Sequence, residues 1–178
     1  MATNSYYFET IRLLVREWHS IDKTECKQNN LVNIVQQILT SAVTHSLPAD
    51  WQNICTDEHA KNWIQARDNE GVTLLIIEKQ LKMPIGLLIL AQDETNTNGI
   101  ELRIGYLLEE SAWGKGFASE LIKGLISWSE ENKVSLLTAG VEKENLASQR
   151  ILEKNGFSCS LQTEATDTII FQRTIEHL

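Results

Sequence analysis

Between positions 113 and 118 the chain reads Trp113-Gly114-Lys115-Gly116-Phe117-Ala118. Glycines at alternate positions allow a tight turn in which successive backbone N–H groups point at one spot. A helix starting behind such a turn adds the positive end of its dipole, and the product is an anion site suited to a pyrophosphate. Lys115 brings a formal charge to the same place. The competing reading is a plain strand-to-helix connection that uses glycine for its geometry alone.

Two better-known phosphate loops fit less well. The pattern G-x-x-x-x-G-K-[ST] fails twice, because Glu109 stands at its first glycine and Gly116 at its final hydroxyl. The dinucleotide pattern G-x-G-x-x-G is nearly met by Gly114, Gly116 and Ser119, with Glu142 available as a ribose-binding acid. That keeps a dinucleotide-dependent oxidoreductase as an alternative, although too little chain follows for a doubly wound sheet. Other chemistries lack their residues. Cys26, Cys55 and Cys159 form no C-x-x-C pair, and His19, His45, His59 and His177 show neither i, i+4 spacing nor an HExxH. A metal site, a zinc knuckle and a disulfide framework are therefore not expected.

The elements that must hold the loop can be read from periodicity. Residues 10–18 suit a first strand, with Arg12 and Arg16 at its edges. Leu31, Ile34, Val35, Ile38, Leu39 and Ala42 recur at helical spacing, predicting one helix over 30–45 closed by Leu47-Pro48. Thr56 caps a second helix to about residue 67, with Glu58 in its first turn. The apolar runs 72–78 and 85–91 read as a buried hairpin whose turn contains Pro84. A polar connection over 92–99 ends in Asn98-Gly99, a turn signal. A strand over 100–108 leads to the glycine loop, followed by a helix over 117–132 with Leu121, Ile122, Leu125, Ile126 and Trp128 inward. A strand over 134–141, a helix over 146–155 stopped by Gly156, and strands near 157–161 and 168–173 complete the order. The fold class is mixed α/β, with a mostly antiparallel central sheet and about four helices.

Composition sets the outer limits. A chain of 178 residues with 42% hydrophobic content predicts one domain, 1–178, with a real core. Sixteen basic against 24 acidic residues give a net charge of -8. That argues against nucleic acid or an anionic membrane as partner, since both require a basic surface. Positions 91–178 carry 8 basic and 14 acidic residues, so a site there would favour a cationic acceptor. No basic start precedes an apolar stretch, and the longest apolar run, 85–91, is seven residues. The expectation is a soluble, reduced, cytoplasmic protein, with a homodimer left open.

Several blocks in order resemble the GNAT superfamily of acetyl-coenzyme A-dependent N-acetyltransferases, and within it the branch of ribosomal-protein N-terminal acetyltransferases. They are Thr10-x-Arg12-Leu13-x-x-Arg16, Pro84-Ile85-Gly86, Ile104-Gly105-Tyr106-Leu107-Leu108 and Trp113 to Glu120. Asn145-x-x-Ser148-x-x-Ile151-Leu152-Glu153-Lys154-Asn155-Gly156-Phe157 follows. Trp113 stands where the superfamily usually has Gln or Arg and where this branch often carries Trp. The resemblance implies a parallel strand pair, 100–108 and 134–141, that splays apart. Pantetheine would lie between the two and pair with backbone at Leu107 and Leu108. Trp113, Gly114, Lys115, Gly116, Phe117 and Ala118 would hold the pyrophosphate of acetyl-CoA. No metal is required.

The implied reaction is direct attack of a neutral amine on the thioester, the acceptor being a protein N-terminus or a small amine. An amine with a pKa of ~8–10 must lose a proton first, so a base or water relay is needed. Glu101 shares a strand face with Arg103, Gly105 and Leu107, and it is the candidate base. Its other reading is a simple pair with Arg103, which stands where this branch carries its acid. Glu109 and Glu110 are secondary candidates. Asn145 is a good N-cap with Ser148 at N3; the resemblance adds an Asn145 contact to pantetheine and a Ser148 proton for the leaving thiolate. Trp18, Trp51 and Trp63 read as core or as an acceptor pocket, and Leu146, Ile151 and Leu152 as core. A coenzyme A-binding sensor without turnover is the reading from a different class.

Overall fold

The structure, a computed structural model, describes residues 6–22, 24–28, 30–92, 99–162 and 167–177, with backbone alone at 161 and 162. Its strands are β1 Tyr7–Glu9, β2 Leu13–Glu17, β3 Val72–Glu78, β4 Met83–Gln92, β5 Ile100–Leu108, β6 Val134–Glu142, β7 Ser158–Gln162 and β8 Thr168–Thr174. The helices are α1 Leu31–Ile38, α2 Ser41–Thr44, α3 Asp57–Glu70, α4 Phe117–Glu131 and α5 Leu146–Lys154. The strands follow the sheet order β1-β2-β3-β4-β5-β6-β8-β7. Among the described ladders β5–β6 is parallel, while β1–β2, β2–β3, β6–β8 and β7–β8 are antiparallel. This is the expected mixed sheet and not a doubly wound one, which removes the basis for a dinucleotide fold.

The chain divides into two compact units. One holds the described residues up to Ile89 together with Tyr106–Phe117; the other holds Leu90–Gly105 and the described residues from Ala118 onward.

In the first unit, α1 and α3 bury Ile34, Val35, Ile38, Ala60 and Trp63 in a core shared with Ile77 and Leu87. Asn30 caps α1 by accepting from the N–H groups of Val32 and Asn33, and Thr56 caps α3 by accepting from His59. Three expectations need correction here. The helix predicted over 30–45 is two helices, because Thr40 adopts extended backbone (φ -70°, ψ 162°) and α2 restarts at Ser41. Thr and Ser favour such cap conformations over helix interiors, whereas the apolar spacing runs on regardless. Of the strand predicted over 10–18 only Leu13–Glu17 is strand, and β1, at Tyr7–Glu9, lies ahead of the predicted span. The Thr10 hydroxyl accepts the Leu13 N–H at 2.9 Å and the Thr10 N–H donates to the Leu13 carbonyl at 2.9 Å, so a turn separates β1 from β2. Pro84 lies inside β4, not in the hairpin turn. That turn closes at Lys82, whose φ of 54° is left-handed and whose N–H donates to Glu78 at 2.8 Å.

In the second unit, β6 runs between β5 and β8. The parallel register with β5 extends from Ile100↔Val134 to Ile104↔Ala139, whereas the β8 ladder continues to Glu142↔Thr168. Helix α4 buries Leu121, Ile122, Leu125, Ile126 and Trp128, as its spacing predicts. Leu146 is 55% exposed and is not core, because the first residue of α5 precedes the turn that buries Leu152. Ile151 is half-buried. The predicted turn at Asn98 lies outside the described residues.

Candidate functional site

The glycine loop belongs to the first unit. Gly114 and Gly116 both have left-handed backbone, at φ 69° and 80°, on either side of Lys115. This is the conformation that glycine permits and other residues resist, and it turns neighbouring N–H groups inward as in anion-binding nests. Helix α4 begins at Phe117, which is buried, while Trp113, Gly114, Lys115 and Gly116 are exposed. The glycine turn expected from the sequence is therefore a solvent-facing turn ahead of a 15-residue helix.

Two features fix the strand that feeds this loop. A Cβ on Gly86 would stand 2.4 Å from the Leu107 carbonyl oxygen, so β4 approaches β5 more closely than any side chain allows. The Glu109 N–H donates to the Ile85 carbonyl at 2.9 Å. Backbone groups of successive strand residues point to opposite sides, so those of Leu107 face β4 and those of Leu108 turn away from it. Of the two residues expected to pair with pantetheine, Leu108 alone directs its backbone outward. Its carbonyl accepts the Trp113 indole N–H at 2.8 Å, and a carbonyl has a second lone pair to offer. The side chain of Leu107 packs against the core.

Glu109 is committed locally, with one carboxylate oxygen accepting from Gln37 at 3.1 Å and the other from Ser111 at 2.5 Å. It fastens the loop to α1. Glu110 opens a single 3-10 turn, Glu110–Ala112. One contributor was not foreseen from the sequence. The Arg12 guanidinium donates to the Lys115 carbonyl at 2.9 Å and lies 4.3 Å from the centroid of the Phe117 ring.

The remaining predicted residues belong to the second unit. Glu101 is half-buried on the face of β5 opposite Leu102 and Ile104, beside exposed Arg103 and Gly105. Among the described residues a Cβ on Gly105 would meet nothing within 4 Å, so the strand is open at that position. Ala118 is half-buried in the first turn of α4. Asn145 caps α5, its side-chain oxygen accepting the Ser148 N–H at 3.1 Å, and Ser148 is half-buried while Asn145 is exposed.

Trp18, Trp51 and Trp63 form one edge-on aromatic cluster. Trp18 and Trp63 are buried, Trp51 meets Trp63 edge-on at 5.1 Å, and the Arg67 guanidinium lies 4.7 Å from the Trp51 ring. Among the described residues no group of three His, Cys, Asp or Glu could hold a metal ion, and no helix is long and apolar enough to cross a membrane.

Comparison with known proteins adds the decisive observation. A family model described as an acetyltransferase (GNAT) domain matches residues 12–158. The chain belongs to the GNAT acetyltransferase family. A curated relative, the probable N-acetyltransferase YjcK of Bacillus subtilis, is 40% identical over 55 residues, which is 30% of this chain and 30% of that protein. The match thus spans less than a third of that relative's length. A GNAT-family acetyltransferase from Bacillus anthracis superposes with a TM-score of 0.74 at 17% identity, covering 94% of this chain and 98% of its own. RimL, a ribosomal L7/L12 alpha-N-protein acetyltransferase solved with coenzyme A, superposes with a TM-score of 0.68 at 19% identity, covering 93% and 96%. At these identities the two structures establish the shared GNAT fold.

Proposed function

We propose that this GNAT protein transfers an acetyl group from acetyl-CoA to a primary amine in a ternary complex, with 1–178 acting as one catalytic domain. The observation that carries the reading is the pair of left-handed glycines ahead of α4, within a chain matched along 12–158 by the GNAT family. The loop Trp113–Ala118 takes the pyrophosphate, with Lys115 neutralising charge and the α4 dipole favouring the anion. Leu108 offers its backbone to pantetheine, with Leu107 setting the strand.

The chemistry assigned to this chain balances without a covalent enzyme intermediate. The neutral amine nitrogen attacks the thioester carbonyl carbon, and the N–C bond forms. Glu101, directly or through water and in place of the acid that the related branch carries at Arg103, first removes a proton from the protonated amine to give that neutral form, and the ammonium formed on attack loses its extra proton to solvent. The C–S bond breaks, and the departing sulfur takes a proton from the Ser148 hydroxyl, which is restored from solvent. Asn145, held at the start of α5, contacts pantetheine. The acidic balance of positions 91–178 favours a cationic acceptor, either a protein N-terminus or a small amine, and the protein acts in the cytoplasm without nucleic acid, membrane or metal. A homodimer is compatible with this reading.

Thermal unfolding with acetyl-CoA tests the first half. Ligand at 100 times Kd adds about 2.7 kcal/mol to the native state, and Gly116→Val should remove the shift. An undiminished shift in a folded Gly116→Val protein would show that the loop is not the cofactor site. Thiol release across an amine panel tests the second half. Binding without release on any amine would favour a coenzyme A sensor, to which Arg103 at the usual acid position already lends weight.

A further inference from the structure

We propose that Arg12 is the positioning residue of the phosphate loop, presetting the Gly116 N–H for the cofactor's pyrophosphate; the inference rests on the cofactor reading above. Arg12 sits in the turn between β1 and β2 and is 103 residues from its partner in the chain. That turn is built rigidly. Thr10 and Leu13 exchange two hydrogen bonds of 2.9 Å, and Leu13 is fully buried. The Arg12 carbonyl accepts the Lys79 N–H at 2.9 Å, and the Lys79 ammonium donates to the Thr10 carbonyl at 2.6 Å. The block Thr10-x-Arg12-Leu13 is thus a turn whose purpose is to aim one guanidinium.

Where that guanidinium goes decides its role. Its Nη1 donates to the Lys115 carbonyl, and its Nη2 lies 3.4 Å from the point a Gly116 Cβ would occupy. A trans peptide sets the C=O of one residue and the N–H of the next on opposite sides, and the described chain has no cis bond. Holding the Lys115 carbonyl therefore turns the Gly116 N–H away from Arg12. The stack on Phe117 pins the first residue of α4 as well. Arg12 thus acts through the loop and is not itself a phosphate ligand. Its contribution is to remove the loop's alternative peptide orientations before the anion arrives.

The test compares coenzyme A with S-acetylpantetheine, which lacks the phosphates, using ligand-observed NMR so that weak binding is read. Arg12→Met should weaken coenzyme A about tenfold to a hundredfold, the range expected when a charge-assisted contact that preorganises a site is lost. S-acetylpantetheine should stay within twofold, and Arg12→Lys should recover part of the loss. If Arg12→Met does not fold, Thr10→Val, which removes the acceptor of the Leu13 N–H, should show a smaller loss of the same kind. Coenzyme A binding within twofold of the parent, or equal losses for both ligands, would overturn the assignment. If instead the parent binds no coenzyme A, or Gly116→Val binds it unchanged, the cofactor reading fails and this inference falls with it.

Discussion

The Trp113 indole reaches back over the 3-10 turn Glu110–Ala112 to the Leu108 carbonyl at 2.8 Å, tying the last residue of β5 to the first of the loop. Trp113 is 49% exposed, and its ring is therefore held by this bond more than by burial. Trp113→Phe keeps an aromatic ring and deletes the donor. The expected outcome is a stability loss of about 0.5–1.5 kcal/mol, the usual net worth of one hydrogen bond, with coenzyme A affinity reduced several-fold. Urea unfolding with and without coenzyme A measures both; a variant that loses stability but no affinity would separate Trp113 from the site.

Asn145 and Ser148 share a cap but should fail differently. Ser148→Ala keeps the backbone N–H that Asn145 accepts, so α5 should survive. Turnover should fall by roughly 10²-fold, the low end for lost general acid catalysis, because a thiolate is already a fair leaving group. Asn145→Ala removes the cap, costing about 1 kcal/mol, and should raise KM for acetyl-CoA before it lowers kcat. Steady-state kinetics with an established acceptor decide the matter. A Ser148→Ala enzyme within threefold of the parent would take Ser148 out of the mechanism.

Two glycines with similar backbone should respond unequally to alanine. Gly114 (φ 69°) has open space where a Cβ would go, so Gly114→Ala should cost only the left-handed backbone term, about 1 kcal/mol. At Gly156 (φ 80°) the new atom would stand 1.9 Å from Arg173 Nη1, which donates to the Asn155 carbonyl at 2.6 Å. Gly156→Ala must displace that side chain too and should cost about 3 kcal/mol. Chemical denaturation of both variants gives the comparison, and equal losses would show that Arg173 yields freely.

The acid limb of the stability curve should report Glu9. The Lys79 ammonium, and after it the Tyr7 hydroxyl, hydrogen-bond its carboxylate and hold it below the usual range. A carboxylate depressed by folding stabilises the native state above its unfolded pKa, and that contribution fades as pH falls through the folded value. The effect is small, since the Glu9 side chain is 44% exposed. The Tm difference between the parent and Lys79→Met should be present at pH 7 and shrink toward pH 3. A difference that grows on acidification would contradict the ion pair as its source.

Much of this architecture is legible in the amino-acid order because each segment's signal is local. The β3–β4 hairpin, the buried stripe of α4, and the caps at Thr56 and Asn145 all follow from residues within a few positions of one another. The break at Thr40 is not legible, because apolar spacing records which side chains face inward and says nothing of a single residue's ψ. β1 is three residues long and offers no period at all. Leu146 looks like core from its type, but exposure at a helix's first residue depends on where the next element lies. At the site, the glycine loop announces itself through composition. Arg12 does not, since its partner lies 103 positions away and only the folded chain brings the two together. The contrast between Leu107 and Leu108 is invisible for a related reason: it depends on which way a backbone faces, and both residues are leucine.

The position of β8 has a consequence for how the protein is made. Although β7 precedes it in the chain, β8 is the strand that lies against β6, and β7 sits outside it. During synthesis β7 emerges with no strand to join, and the free edge of β6 stays bare until Thr168–Thr174 have left the ribosome. That edge belongs to a strand with Leu137, Ala139 and Val141 on its inner face, a template for pairing with other chains. The second unit should therefore close late, and a released chain truncated before residue 168 would display an aggregation-prone intermediate that chaperones are equipped to shield.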